Sequence, residues 1–200
     1  MILEHKGKHK FIRFREERSQ ESFTDFFNFY YHRLTQFATT ILRSELLSEE
    51  IVLDVFLKLW EQRKMTDTID NIETYLYISV RNKAINALKD KQKFHFDMLE
   101  NAHVRLAGYK APAESELIEH ELFGALHDAV NRLPAKCKII FKLIREDGLT
   151  RIEVAQILNI SVKTVDNQVA IAVRKIADQL HIDLSNPKNS HGLMTFLLTL

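Results

Sequence analysis

A chain of 200 residues, 46% hydrophobic and 28% charged, can bury one ordinary core or two small ones, which excludes wholesale disorder. A formal net charge of +1 excludes a polybasic coat for nucleic acid, yet local basic clusters can still serve a specific DNA reader. Gly and Pro are sparse and the apolar residues recur at helical spacing, so an all-α fold is expected: two small helical domains joined by a linker.

The start, MILEHKGKHKFIRFREERSQ, is basic and lacks the apolar run of a signal peptide; residues 1–20 are read as a basic N-terminal extension. Residues 21–95 form the first expected domain. Phe23, Phe26, Phe27, Tyr30, Leu34, Phe37, Ala38 and Ile41 fall three and four apart, a broad stripe on one helix with Ser22 as its expected cap. A second helix is expected after Ser48, with Glu49 and Glu50 in its first turn. It carries more apolar residues than one stripe needs. Ile51, Val55 and Leu59 make one row, Val52, Phe56 and Trp60 a second, and Leu53 and Leu57 lie on another side beside Asp54, Lys58 and Glu61. That surplus suits a partner surface.

Lys64 to Asn71 is polar and reads as a loop. A third helix runs from about Ile72 to Lys93, with Leu76, Val80, Ala84 and Ala87 on its core face beside Tyr77 and Leu88. Its opposite face carries Tyr75, Ser79, Asn82, Asn86, Lys89 and Lys93. Periodicity fades over residues 96–115, taken as the linker, and Gly108 and Pro112 fall there.

The second domain is expected over residues 116–182. Leu122, Leu126, Val130 and Leu133 mark a helix that Pro134 separates from the next, marked by Ile140, Phe141 and Ile144 and stopped by Asp147 and Gly148. Thr150 and Glu153 stand as a capping box, so a helix should open at Arg151 and turn Ile152, Ala155 and Leu158 inward. Asn159 can take the left-handed turn position. Ser161 then caps a last helix with core positions Val162, Val165, Val169 and Ile176. Helix, tight turn, helix is the geometry of a DNA-binding helix-turn-helix. The outward face would carry Lys163, Thr164, Asn167, Gln168, Ile171 and Arg174, a mixture of phosphate-binding and base-reading side chains. Taken alone, this pattern is equally that of a helical hairpin with a solvated face.

Three segments in order, LDVFLKLWEQR (Leu53 to Arg63), YLYISVRNKAINALK (Tyr75 to Lys89) and GLTRIEVAQILNISVKTVDNQV (Gly148 to Val169), resemble the sigma-70 family of RNA polymerase sigma factors. The likeness is to its small extracytoplasmic-function form, with only regions 2 and 4, in a style similar to that of the Bacteroidetes phylum. The resemblance implies a DNA-binding specificity subunit that directs transcription initiation. Leu53, Asp54, Leu57, Lys58 and Glu61 would then dock on the beta-prime clamp coiled coil of core polymerase, with Trp60 in the core. Asp70, Asn71, Ile72, Tyr75, Asn82, Lys83, Asn86, Lys89 and Lys93 would open and read the minus-10 element, stacking and bonding unpaired bases. Ser161, Lys163, Thr164, Asn167, Gln168, Ile171 and Arg174 would read the minus-35 element. The partners implied are core polymerase (beta-prime coiled coil and beta flap), promoter DNA and an anti-sigma factor, in the cytoplasm. The rival reading is a helix-turn-helix regulator that acts without docking on polymerase.

Other chemistries find little support. Among nine histidines, His5 with His9 and His120 with His127 approach helical spacing but lack the acidic or thiol company of a zinc site. Cys137 is the one cysteine, which rules out an intramolecular disulfide. No phosphate loop, nucleophile elbow or triad spacing occurs, so no catalytic residue, cofactor, metal or small-molecule substrate is expected. Residues 183–200 form a C-terminal tail whose apolar patch, MTFLLTL, is far too short to span a bilayer.

Overall fold

The computed structural model describes the backbone of residues 2–95 and 117–182 and the side chains of 7–64, 66–89 and 124–182. The expected linker and the apolar tail lie outside the described residues, as does the Leu122 side chain. Every regular element described is helical: α1 (Ile2–Glu17), α2 (Gln20–Leu42), α3 (Glu45–Glu61), a 3-10 turn (Arg63–Thr68), α4 (Ile72–His95), α5 (Leu117–Asn131), α6 (Ala135–Arg145), α7 (Arg151–Leu158) and α8 (Val162–Gln179).

The basic start of the chain is a helix packed into the first module. Phe11 and Phe14 of α1 are buried, and the Phe14 ring stacks on Phe26 at 5.6 Å between centroids and on Trp60 at 6.2 Å. Phe26 in turn meets Phe56 edge-on, so one aromatic cluster joins α1, α2 and α3. Gly7 lets α1 and α2 approach, because a Cβ there would run into the Tyr30 hydroxyl and the Phe29 ring. Arg13 faces Glu17, Glu21 and Asp25 along the outside of the same contact. Composition registered the charges of this segment; the two phenylalanines decide its place, since burying each removes a large apolar area from water.

Two helices begin earlier than their sequence signals suggest. Ser19, not Ser22, caps α2: its Oγ accepts from the Ser22 N–H, and Ser22 is buried in the first turn. Ser44, not Ser48, caps α3, and Ser48 Oγ donates back to the Ser44 carbonyl at 2.6 Å. The cause lies in the tight reversals before them. Arg18 and Arg43 take left-handed conformations (φ 50° and 54°) that end one helix, and the next serine is at once in position to start another. The polar stretch after α3 is also more regular than a loop, wound as a 3-10 turn closed by Thr66 Oγ1 donating to the Arg63 carbonyl.

α4 presents Leu76, Tyr77, Val80 and Ala84 to the core as its periodicity indicates. In the second module Ile140 and Phe141 are buried, and Leu143 is more deeply enclosed than Ile144, which packs at the rim. Gly148 ends that segment at φ 73°. The modules touch: α4 packs on α7, and α2 meets α6.

Replacing Phe14 with Ala should lower unfolding stability by about 3–5 kcal/mol, the usual cost of emptying a buried aromatic site. A urea midpoint shift would register it. An unchanged midpoint would mean that α1 is a loose appendage.

Candidate polymerase and promoter interfaces

α3 has two apolar sides. Ile51, Val52, Val55, Phe56 and Leu59 are buried, whereas Leu46, Leu53 and Leu57 are 79%, 48% and 56% exposed. Separations of seven and four set these three leucines on one side of the helix, with Asp54, Lys58 and Glu61 exposed near them. Leu46 escaped the sequence reading because the helix was expected to begin after Ser48. Trp60 lies at the core edge, its ring 4.9 Å from Phe23 and under the Arg63 guanidinium at 4.6 Å. Asp54 is ion-paired with Lys83 of α4 at 3.0 Å, so a candidate docking residue and a candidate DNA contact meet across the helix pair. Both side chains are well exposed, and such a pair contributes about 0.2–1 kcal/mol.

The start of α4 is held from two directions. Asn71 Oδ1 accepts the Thr74 N–H at 3.0 Å, capping the helix. Behind it, the Tyr30 hydroxyl donates to Glu73 Oε1 at 2.9 Å in a buried hydrogen bond. Burial, reinforced by the Glu73 charge, lifts the Tyr30 hydroxyl above its ordinary range and keeps it protonated. Asp70 and Asn71 are exposed here, but Ile72 is not: at 4% exposure it shares the core row of Leu76 and Val80, four residues apart. That burial sets Ile72 apart from the exposed residues grouped with it for the minus-10 element. Farther along, Tyr75 is half-buried, and Asn82, Asn86 and Lys89 are exposed on the outer side. The Lys93 side chain lies outside the described residues.

In the second module the capping box closes in full. The Thr150 N–H donates to Glu153 Oε2 at 2.8 Å and the Glu153 N–H to Thr150 Oγ1 at 3.3 Å. Asn159 sits at φ 54°, ψ 53°, and Ser161 Oγ accepts from the Thr164 N–H to start α8. Ile152 departs from expectation, being 62% exposed. At about 100° per residue, buried Val154 and Ile157 point roughly opposite to it, while Ala155 lies about 60° away at the edge of the buried side. Val162, in the first turn of α8, is 39% exposed, while Val165, Val169 and Ile176 are buried as their spacing suggests.

Lys163, Asn167, Ile171 and Arg174 form the exposed side of α8, and Ser161 and Thr164 sit at its N-terminus with their hydroxyls 2.8 Å apart. Gln168 turns aside. It flanks the core row, and its Oε1 accepts from the Cys137 thiol at 2.9 Å. Asp166, acidic near the candidate DNA face, is paired with Arg151 of α7 at 2.9 Å. Among the described residues there is no cluster of three or more potential metal ligands, and no helix is long and apolar enough to cross a membrane.

A helical module with an exposed leucine row, joined to a helix-turn-helix module, is the arrangement of a multi-part DNA-binding factor. Residues 26–94 match the family described as Sigma-70 region 2, and residues 123–176 match Sigma-70, region 4. The chain is 23% identical over 157 residues to the ECF RNA polymerase sigma factor SigW of Bacillus subtilis (strain 168), covering 75% of this chain and 84% of that protein. Its fold is similar to that of the sigma factor RpoE solved with the anti-sigma factor NepR from Bartonella quintana, at a TM-score of 0.55 and 19% identity, over 82% of this chain and 99% of that one. CnrH, solved with the cytosolic domain of CnrY, aligns at a TM-score of 0.49 and 18% identity, over 87% and 96%. The chain belongs to the sigma-70 family of RNA polymerase sigma factors, in its extracytoplasmic-function form.

Tyr30→Phe should cost about 1–3 kcal/mol by removing one donor from the buried Glu73 carboxylate. Thermal melting with unchanged helical circular dichroism would report it. No loss of stability would mean that the hydrogen bond does not hold α4.

Proposed function

We propose that the two modules divide promoter recognition between them, and that the chain performs no reaction of its own. The first module grips core polymerase through the outer side of α3, with Leu46 added to Leu53, Asp54, Leu57, Lys58 and Glu61. The exposed leucine row carries this reading, because a helix that shows three large apolar side chains to water beside charged ones suits burial against another protein. The partner surface is the beta-prime clamp coiled coil.

The minus-10 strand lies along α4. Tyr75 offers a ring for stacking, Asn71, Asn82 and Asn86 bond base edges or backbone, and Lys83, Lys89 and Lys93 meet phosphates. Lys83 exchanges Asp54 for a phosphate when DNA arrives. α8 enters the major groove at the minus-35 element with Lys163, Thr164, Asn167, Ile171 and Arg174 forward. The Arg151–Asp166 pair favours that insertion by offsetting an acid near the groove. Gln168, turned toward Cys137, has a supporting part in this scheme. The work is done in the cytoplasm, where polymerase and chromosome meet. The similar sigma factor RpoE was solved in complex with the anti-sigma factor NepR, and an anti-sigma factor is the regulator proposed for this chain.

Run-off transcription with purified core polymerase and genomic promoter fragments tests the scheme. The chain should stimulate specific initiation, and replacing both Tyr75 and Asn82 with Ala should abolish that stimulation. Binding to palindromic DNA without any effect on initiation would instead favour a polymerase-independent regulator. In duplex binding, Arg174→Ala should reduce the slope of log affinity against log salt by about 1, the signature of one lost phosphate contact. An unchanged slope would remove Arg174 from the interface.

A further inference from the structure

One side chain at the border of the exposed row of α8 is held from behind. Gln168 is half-buried, and its Oε1 accepts from the Cys137 thiol of α6 at 2.9 Å. Cys137 is 3% exposed, enclosed where α6 packs on α8. Burial lifts the thiol above its ordinary range, against a downward pull from Lys175 and Lys136. The sulfur therefore keeps its proton and acts as the donor. The amide is set with its carbonyl toward α6, which leaves the amino group as the end that can turn outward.

Helical spacing fixes where that end lies. Thr164 stands four residues before Gln168 and Ile171 three after it, so Gln168 borders the exposed row on the side nearest α6. Lys175, seven residues on, is exposed along the same edge. A polar group at such an edge meets the phosphates that flank a groove before it meets the bases. A glutamine recognises adenine with both ends of its amide, the oxygen accepting from N6 and the nitrogen donating to N7. With the oxygen turned to a buried thiol, that two-point contact does not form.

We propose that Cys137 sets minus-35 specificity by withholding Gln168 Oε1, so that Gln168 meets a phosphate through its amino group and reads no adenine. The inference rests on the reading of α8 as the minus-35 surface. Cys137 is thereby a positioning residue, acting on DNA only through Gln168. Removing the thiol returns the oxygen to the amide's outer side and converts a backbone contact into a base reader.

The test is selection from promoter fragments randomised over the minus-35 element, using the full chain assembled with core polymerase, followed by sequencing. Cys137→Ala should enrich adenine about tenfold at one position, the discrimination expected of one bidentate pair. The unmutated chain and Cys137→Ser, which keeps a donor, should show no such enrichment. It should also vanish when Cys137→Ala is combined with Gln168→Ala. Gln168→Ala alone should weaken binding to all selected sequences alike, by about fivefold. Cys137→Val, which fills the volume without a strong donor, takes the place of Cys137→Ala if the smaller side chain lowers the melting temperature. Unaltered preference in the donor-free variants, an enrichment that survives in the double variant, or an adenine preference that Gln168→Ala removes from the unmutated chain would each overturn the inference. The side-chain amide resonances of Gln168, recorded without DNA, separate this failure from that of the underlying reading. Resonances that shift in Cys137→Ala but not in Cys137→Ser, with no upstream selection by any variant, would strike the reading of α8 and the specificity claim with it. Resonances that Cys137→Ala leaves unmoved would overturn the hold itself.

Discussion

The cluster of Phe14, Phe26, Phe56 and Trp60 is the interaction on which the first module depends. Rings from three helices meet in it, and their shared burial decides which side of α3 faces inward. Once Val52, Phe56 and Leu59 are committed to that cluster and its surroundings, Leu46, Leu53 and Leu57 have nowhere to go but outward. The exposed leucine row is thus the remainder of a packing problem. Tyr30 extends the same order to the start of α4 through its buried bond to Glu73, so the surface assigned to the minus-10 strand is set by the core behind it.

The second module is arranged by caps more than by rings. Two short turns, at Gly148 to Thr150 and at Asn159 to Ser161, stop and start helices within about fourteen residues. Each satisfies backbone groups that would otherwise be left open, at about 1 kcal/mol per cap. Such turns fix the angle between α7 and α8 closely enough to present one exposed side of α8, and the Arg151–Asp166 pair braces the same corner. Glu153 has two tasks here, closing its own helix and reaching the other module.

Much of this was legible in the residues. Apolar spacing marks α4 and α8, and Thr150, Glu153, Asn159 and Ser161 announce their roles because capping is local chemistry. What escaped was decided by contacts distant in sequence. α1 reads as basic because its charges outnumber its phenylalanines, and only the presence of α2 and α3 makes Phe11 and Phe14 core residues. Ser22 and Ser48 look like caps by type, but the preceding left-handed arginines set the start of each helix one turn earlier. Among the site residues, Ile72 is placed at the minus-10 element by the family resemblance and Gln168 outward by helical spacing. The structure turns one into the core and the other toward Cys137, a partner that no local pattern names.

A leucine row exposed by its own core and available to a polymerase helix pair is the claim from which the rest follows. Titrating the purified chain against an isolated beta-prime clamp coiled coil, by calorimetry or fluorescence anisotropy, addresses it most directly. Saturable binding is expected, weakened at least about a hundredfold when Leu53 and Leu57 are both replaced by Asp, since each buried leucine contributes about 1.5–3 kcal/mol. No measurable affinity, or affinity indifferent to the two aspartates, would contradict it.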